Sequence, residues 1–174
     1  MAVPAPEPAQ EHDALLPGTR LDEFEILRVL GAGGFGIVYL ALDHVLMRQV
    51  AIKEFMPATL ATRGKGAIVS VRSPSLATTF ATGLNSFFNE AQLLARFDHP
   101  ALVKVHRFWK ANGTAYMVMP YYPGQTLQAV RAAMRGSPDE AWLRALLDPL
   151  LGALDLLHHE GVYHRDIAPD NILL

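Results

Sequence analysis

Apolar residues along this chain keep two rhythms, and the switch between them lays out the elements. Phe24 to Leu30 alternates in the manner of a strand, Ile37-Val38-Tyr39-Leu40 is a run of β-formers, and Val50-Ala51-Ile52-Lys53 alternates again. Ala101 to Trp109 and Thr114 to Met119 read as two further strands, joined through Asn112-Gly113, a strong hairpin signal. The helical rhythm takes over in Leu76, Phe80, Leu84, Phe87, Ala91 and Leu94. Ser73 is placed to cap that helix and Pro74 to open it, and Asp98-His99-Pro100 stops it. Thr126 to Arg135 predicts a short helix closed by Gly136. Ser137 and Glu140 have the capping-box spacing ahead of a long helix with Leu143, Leu146, Leu147, Leu150 and Leu154 on its apolar face. Pro149 should kink this helix and Gly161 should end it. At the front, Met1 to Pro17 carries Pro4, Pro6, Pro8 and Pro17 among Ala, Glu and Gln. Such a segment buries too little to offset its ordering entropy, so a flexible tail is expected over 1–20, with structure beginning near Leu21.

Composition narrows the class. The 174 residues suffice for one domain with a real core, and 51% are hydrophobic, as in a folded globule. A net charge of −2 supplies no broad basic field for nucleic acid or anionic lipid. Cysteine is absent, which excludes disulfides and thiolate metal sites and points to a reducing, cytoplasmic setting. No apolar run approaches the ~18 residues of a membrane span. Met1 to Gln10 has neither Lys or Arg nor an apolar core, so it is not a secretory signal.

The chemistry starts at Gly31-Ala32-Gly33-Gly34-Phe35-Gly36. Glycines let backbone approach a phosphate and turn N–H groups toward it. The spacing alone fits a dinucleotide-binding turn as well as other phosphate loops. A dinucleotide fold needs a helix opening at the third glycine, whereas here β-formers follow, giving a strand-turn-strand hairpin. Phe35 at the tip has no evident packing role. In the next strand Ala51 and Lys53 share one face, opposite Val50 and Ile52. Glu90 borders the apolar stripe of its helix, and a carboxylate there wants a cation, for which Lys53 is the candidate; the alternative carboxylates, Glu54 and Asp98, lack this placement. His158 and His159 are adjacent and do not converge on one helix face, so they read as a solvated helix end and not as metal ligands.

His164-Arg165-Asp166-Ile167-Ala168-Pro169-Asp170-Asn171 places an Asp two residues after a His and five before an Asn. Asp166 can accept a proton from an attacking hydroxyl, Asn171 offers an amide oxygen to a hard cation, and Arg165 can pair with a further anion. This stretch resembles the catalytic loop of eukaryotic-type, bacterial Hanks-like serine/threonine protein kinases. With the glycine turn, Lys53, Glu90 and Tyr116 to Tyr122 in the family's order, the resemblance covers about Leu21 to Leu174.

It implies an α+β, protein-kinase-like fold: an antiparallel five-stranded small lobe with one main helix over 21–119, a hinge over 120–124, and the first helices of a large lobe over 125–174. Residues 57–74 stand out as an insertion, with a turn at Gly64-Lys65-Gly66 and a short strand over Ala67 to Val71. By the same resemblance ATP would be held by Leu30, Gly31, Ala32, Gly33, Gly34, Phe35, Gly36, Val38, Ala51, Lys53, Met119, Pro120 and Tyr122. Met119 matches the residue behind the adenine, the Pro120 carbonyl and Tyr122 N–H match the hinge acceptor and donor, and Val118 reads as plain core. Lys53 would contact the α- and β-phosphates and pair with Glu90. Asp166 would be the base and Asn171 a ligand of Mg2+, with a protein serine or threonine hydroxyl as acceptor. No nucleic-acid partner is expected.

Two departures qualify the resemblance. The lysine usual two residues after the catalytic Asp is Ala168, and the tyrosine-kinase arginine is absent both there and at Asp170; Pro169 favours the serine/threonine class. The chain also ends before any Asp-Phe-Gly, so a truncated kinase is expected, the alternative being an inactive nucleotide-binding or protein-docking remnant. In a truncated chain the Leu-rich long helix would lack covering surfaces and expose an apolar patch.

Overall fold

The computed structural model describes residues 13–174, and these fall into two compact units. The first comprises residues up to Arg96 together with Lys104–Tyr121; the second comprises Phe97–Val103 and Tyr122–Leu174. The segment 97–103, expected within the small lobe, thus groups with the later helices.

The first unit is a six-stranded antiparallel sheet in the order β1-β2-β3-β4-β8-β7. Its strands are β1 (Arg20–Leu21), β2 (Phe24–Gly33), β3 (Gly36–Asp43), β4 (Arg48–Phe55), β7 (Arg107–Ala111) and β8 (Thr114–Pro120). The five expected strands are therefore joined by a two-residue β1. The strand expected from Ala101 begins only at Arg107. Asn112 and Gly113 both have positive φ, which is the backbone an Asn-Gly hairpin turn demands. Register shifts in β2 between Ile26 and Arg28 and between Val29 and Gly31 bend that strand. The sheet curls until its ends meet. Arg107 on β7 reaches both Glu23 carboxylate oxygens at 2.6 Å and Asp22 at 2.7 Å, and Phe24 stacks on Trp109 at 5.9 Å. The Arg107 hydrogen bond holds the Glu23 carboxyl below its ordinary range.

Each face of the sheet is covered by a different piece of chain. A 3-10 turn over Pro74–Leu76 leads into α1 (Ala77–Leu94), with Pro74 at the first position as its fixed φ favours. Phe80, Phe87 and Ala91 are buried, and Phe55 of β4 packs against both phenyl rings at 5.3 and 5.8 Å. Gly83 lets α1 approach β4, because a Cβ there would lie 2.8 Å from the Phe55 ring.

The other face meets the expected insertion. Residues 57–74 hold two short strands where one was expected, β5 (Ala61–Arg63) and β6 (Val69–Val71), paired as a hairpin. The hairpin is fastened by charge. Glu54 of β4 is fully buried, and its Oε2 accepts from Arg63 at 2.6 Å and from the Tyr39 hydroxyl at 2.7 Å. Burial alone would lower the Arg63 pKa, but Glu54 outweighs it and leaves the guanidinium more firmly charged than usual. Burial, reinforced by the Glu54 charge, pushes the Tyr116 phenol up to about 12 and raises Tyr39 as well.

Residues 1–12 of the expected tail lie outside the described residues, and the rest of it does not behave as a flexible tail. Leu15 is buried in the core and its N–H donates to the Tyr39 hydroxyl at 3.1 Å. Asp13 Oδ1 accepts from Thr62 at 3.1 Å and from the Arg63 amide at 2.7 Å. The insertion supplies the apolar and cationic partners that a reading of this segment in isolation lacks.

In the second unit, α2 (Leu127–Ala133) is capped by Thr126, which accepts from the Ala129 amide. Helix α3 (Glu140–His159) is capped by Asp139, which accepts from the Trp142 amide at 2.8 Å. The cap is therefore Asp139 and not Ser137, since a carboxylate two residues later takes the same kind of amide. Pro149 lies inside α3, and Gly161 just beyond it has φ +68°. Leu143, Leu147 and Leu151 on α3 are exposed.

Arg63→Met leaves Glu54 buried without its cation and should destabilise the fold by about 3–5 kcal/mol in urea denaturation. Adding Glu54→Leu to it should recover most of that loss. A double variant no more stable than Arg63→Met would mean that the charge pair does not hold the hairpin.

Candidate active site

In the sheet unit, strand pairing gathers the expected nucleotide residues on one face. Gly31 lies opposite Val38, Val38 opposite Lys53, and Ala51 opposite Met119. Directly paired residues and residues two apart share a face, so Gly31, Val38, Ala51, Lys53 and Met119 stand together. Leu30 sits at the second β2 bulge, between paired Val29 and Gly31. Pro120 ends β8, paired with Val50. Tyr122 falls in the other unit, where its carbonyl accepts from the Gly124 amide.

Lys53 is joined to helix α1 on this face. Its Nζ lies 3.0 Å from Glu90 Oε1 and 5.5 Å above the Phe87 ring. Both groups are partly exposed, so the pair adds little stability by itself, and its value lies in where it holds the ammonium. Glu54 could not serve instead, because alternation turns it to the other face, where Arg63 takes it.

The glycine turn has two kinds of glycine. Gly36 touches backbone: a Cβ there would overlap the Glu54 carbonyl oxygen. Gly31, Gly33 and Gly34 would meet nothing within 4 Å. The open space over these three is the feature that suits a phosphate group, and Gly36 serves the approach of β3 to β4. Phe35 at the tip is 82% exposed, and its carbonyl accepts from the Met56 amide at 3.3 Å. With Lys53 as a half-exposed cation on the same face, the residues present fit a nucleotide phosphate.

In the helical unit, Asn171 organises the loop. Its Nδ2 donates to the Asp166 carbonyl at 3.1 Å and to Asp166 Oδ2 at 2.9 Å. That fixes the carboxylate through Oδ2 and leaves its Oδ1 and the Asn171 amide oxygen able to accept. Arg165 has φ +63°, a conformation rare for a side-chain-bearing residue. Beyond the loop, Leu127 donates to Ile172, and Gln125 and Leu174 exchange amide-carbonyl bonds at 3.2 and 2.9 Å. The loop is thus anchored to the start of α2. Among the described residues no cluster of three or more His, Asp or Glu could hold a metal. The Asn171 amide oxygen is a hard donor of the kind Mg2+ takes.

The sequence reading missed Glu54, Arg63 and Asp13. The signal was present in the alternation: Glu54 shares the apolar face of Val50 and Ile52, and a carboxylate there requires a buried cation.

Comparison with known proteins identifies the family. The family described as "Protein kinase domain" matches residues 24–174, so the chain belongs to the protein kinase family. The serine/threonine-protein kinase cds1 of Schizosaccharomyces pombe is 33% identical over 151 residues, spanning 87% of this chain and 30% of that protein. The serine/threonine-protein kinase pkn2 of Myxococcus xanthus is 32% identical, spanning 87% of this chain and 16% of that protein. The solved structure described as PpkA-294 in its apo form is 51% identical with a TM-score of 0.88, over 92% of this chain and 57% of that one. The kinase domain of Mycobacterium tuberculosis PknI gives 25% identity and a TM-score of 0.68. The family and the serine/threonine type are those expected from the motifs, and the chain spans less than a third of the curated relatives' lengths.

Gly36→Ala should cost about 1–3 kcal/mol, because the added methyl meets backbone that only a parting of β3 and β4 can relieve. Gly34→Ala should stay within about 0.5 kcal/mol of the parent. Equal losses in urea melts would show that the two glycines do not divide their roles in this way.

Proposed function

We propose that this chain carries the nucleotide-binding and base-bearing parts of an ATP-dependent protein serine/threonine kinase. The observation that carries the reading is the Lys53–Glu90 pair at 3.0 Å on the face shared with Gly31, Val38, Ala51 and Met119. Members of the family use ATP and Mg2+ and act on protein substrates.

The glycine-turn backbone at Gly31, Gly33 and Gly34 takes the phosphates, and Lys53 neutralises charge on the α- and β-phosphates while Glu90 keeps its ammonium from swinging into solvent. Val38, Ala51 and Met119 offer an apolar surface to the adenine, and the Pro120 carbonyl serves its polar edge. Asp166, steadied by Asn171, receives the proton of a serine or threonine hydroxyl as its oxygen bonds to the γ-phosphorus and the bond to the β–γ bridging oxygen breaks, releasing ADP. Mg2+, when bound, offsets the negative charge of the transferring phosphoryl group, and the Asn171 amide oxygen would be one of its ligands. Ala168 brings no cation to the phosphoryl group, so more of the positioning falls on Lys53 and the glycine turn.

Lys53→Met should weaken binding of an ATP analogue by ~1.5–3 kcal/mol, the worth of a hydrogen bond to a charged group. Lys65→Met, in the exposed turn of the β5–β6 hairpin, is the control and should leave it unchanged. Calorimetry is the measurement; equal affinity of the parent and Lys53→Met, or no nucleotide binding by the parent, would overturn the assignment.

A further inference from the structure

Behind the lysine strand lies a second set of contacts that the phosphoryl-transfer reading does not use. Arg63 is its centre. The side chain is almost wholly buried, and it donates in three directions: through Nε to the Asp13 carbonyl at 2.6 Å, through one terminal nitrogen to the Ala67 carbonyl at 2.7 Å, and through the other to Glu54 at 2.6 Å. Asp13 holds the same residue from the other side, its Oδ1 accepting the Arg63 amide, while its Oδ2 faces Arg72 at 3.4 Å. Tyr39 closes a second route, taking the Leu15 N–H and giving its proton to Glu54.

Glu54 is also where the phosphate cradle is joined together. It follows Lys53 directly in β4. Its carbonyl is the atom against which Gly36 packs, and two residues on, the Met56 amide holds the Phe35 carbonyl at the tip of the glycine turn. The side chain of Glu54 is thus fixed by Arg63, and its backbone fixes the turn. Freedom given to Arg63 passes to the joint between the turn and the lysine strand.

We infer that Asp13 and Arg63 are positioning residues for nucleotide binding, acting through Glu54, and that docking of the Asp13–Leu15 segment onto the β5–β6 hairpin sets how firmly the glycine turn is held over Lys53. This rests on the nucleotide reading of the lysine face. It gives the 57–74 insertion a role: it is the receptor for the segment that precedes the first strand. Asp13 is bonded to the hairpin residues Thr62, Arg63 and Arg72, behind the lysine strand, so its effect on affinity travels by position and not by charge contact with phosphate.

Asp13→Ala, made in the full chain, is the main test, since it removes the latch at its edge and leaves the buried Arg63–Glu54 pair intact. Two quantities are read well below the variant's melting temperature: affinity for an ATP analogue by calorimetry, and exchange of the Met56 amide by hydrogen-exchange NMR. Affinity should fall roughly three- to tenfold, a size common for residues coupled to a site they do not touch. Met56 exchange should rise relative to amides in the middle of β8. Asp13→Asn keeps the Oδ1 acceptor and should restore most of both. A variant that melts earlier but keeps the parent's affinity and Met56 protection would overturn the proposal, leaving the network a prop for the fold. If the parent binds no nucleotide, the functional reading fails, and the Met56 exchange decides the coupling alone: a selective rise upholds it, and no rise ends it.

Discussion

Glu54 brings a full negative charge into the interior of the sheet, and Arg63, with the Tyr39 hydroxyl, makes that tolerable. A carboxylate without exposure costs several kcal/mol unless a cation and hydrogen bonds meet it. The cation comes from a hairpin nine residues later in sequence, and that hairpin is in turn held by Asp13. One buried charge therefore recruits two peripheral pieces of chain onto the face of the sheet opposite α1. The same strand presents Lys53 on the α1 side, because neighbouring residues in a strand face opposite ways. Fastening the strand from behind through Glu54 leaves Lys53 free to meet Glu90 and a ligand in front.

Much of this was legible in the sequence. The strand rhythm of Val50 to Lys53 gave the facing of Lys53 correctly, the apolar stripe of Phe80, Phe87 and Ala91 put Glu90 at its border, and Asn112-Gly113 located the hairpin. The family resemblance supplied the order of the motifs, and the protein-kinase fold followed. What could not be read was non-local. Asp13 sits in a Pro- and Ala-rich stretch whose composition argues for flexibility, and its partners at Thr62, Arg63 and Arg72 lie about fifty residues on. The strand expected from Ala101 begins at Arg107 because 97–103 packs in the other unit, a tertiary preference that alternation does not reveal. The cap of α3 went to Asp139 and not Ser137 because both residue types cap well and spacing alone does not choose between them.

The loop from His164 to Asn171 shows the same division of labour on a smaller scale. Asn171 donates to both the Asp166 carbonyl and its Oδ2, so the residue that the family resemblance makes a metal ligand also fixes that carboxylate. The Lys53 face is the part on which the nucleotide reading depends most.

That face has a direct chemical test. Adenosine carrying a lysine-reactive sulfonyl fluoride in place of its phosphates puts an electrophile wherever a bound nucleotide would present its α- and β-phosphates. The chain has four lysines, Lys53, Lys65, Lys104 and Lys110, which peptide mass mapping separates. The account predicts that the reagent modifies Lys53 selectively and that excess ATP suppresses the reaction. Modification spread over the four lysines, or concentrated at Lys65, Lys104 or Lys110 and indifferent to ATP, would contradict it.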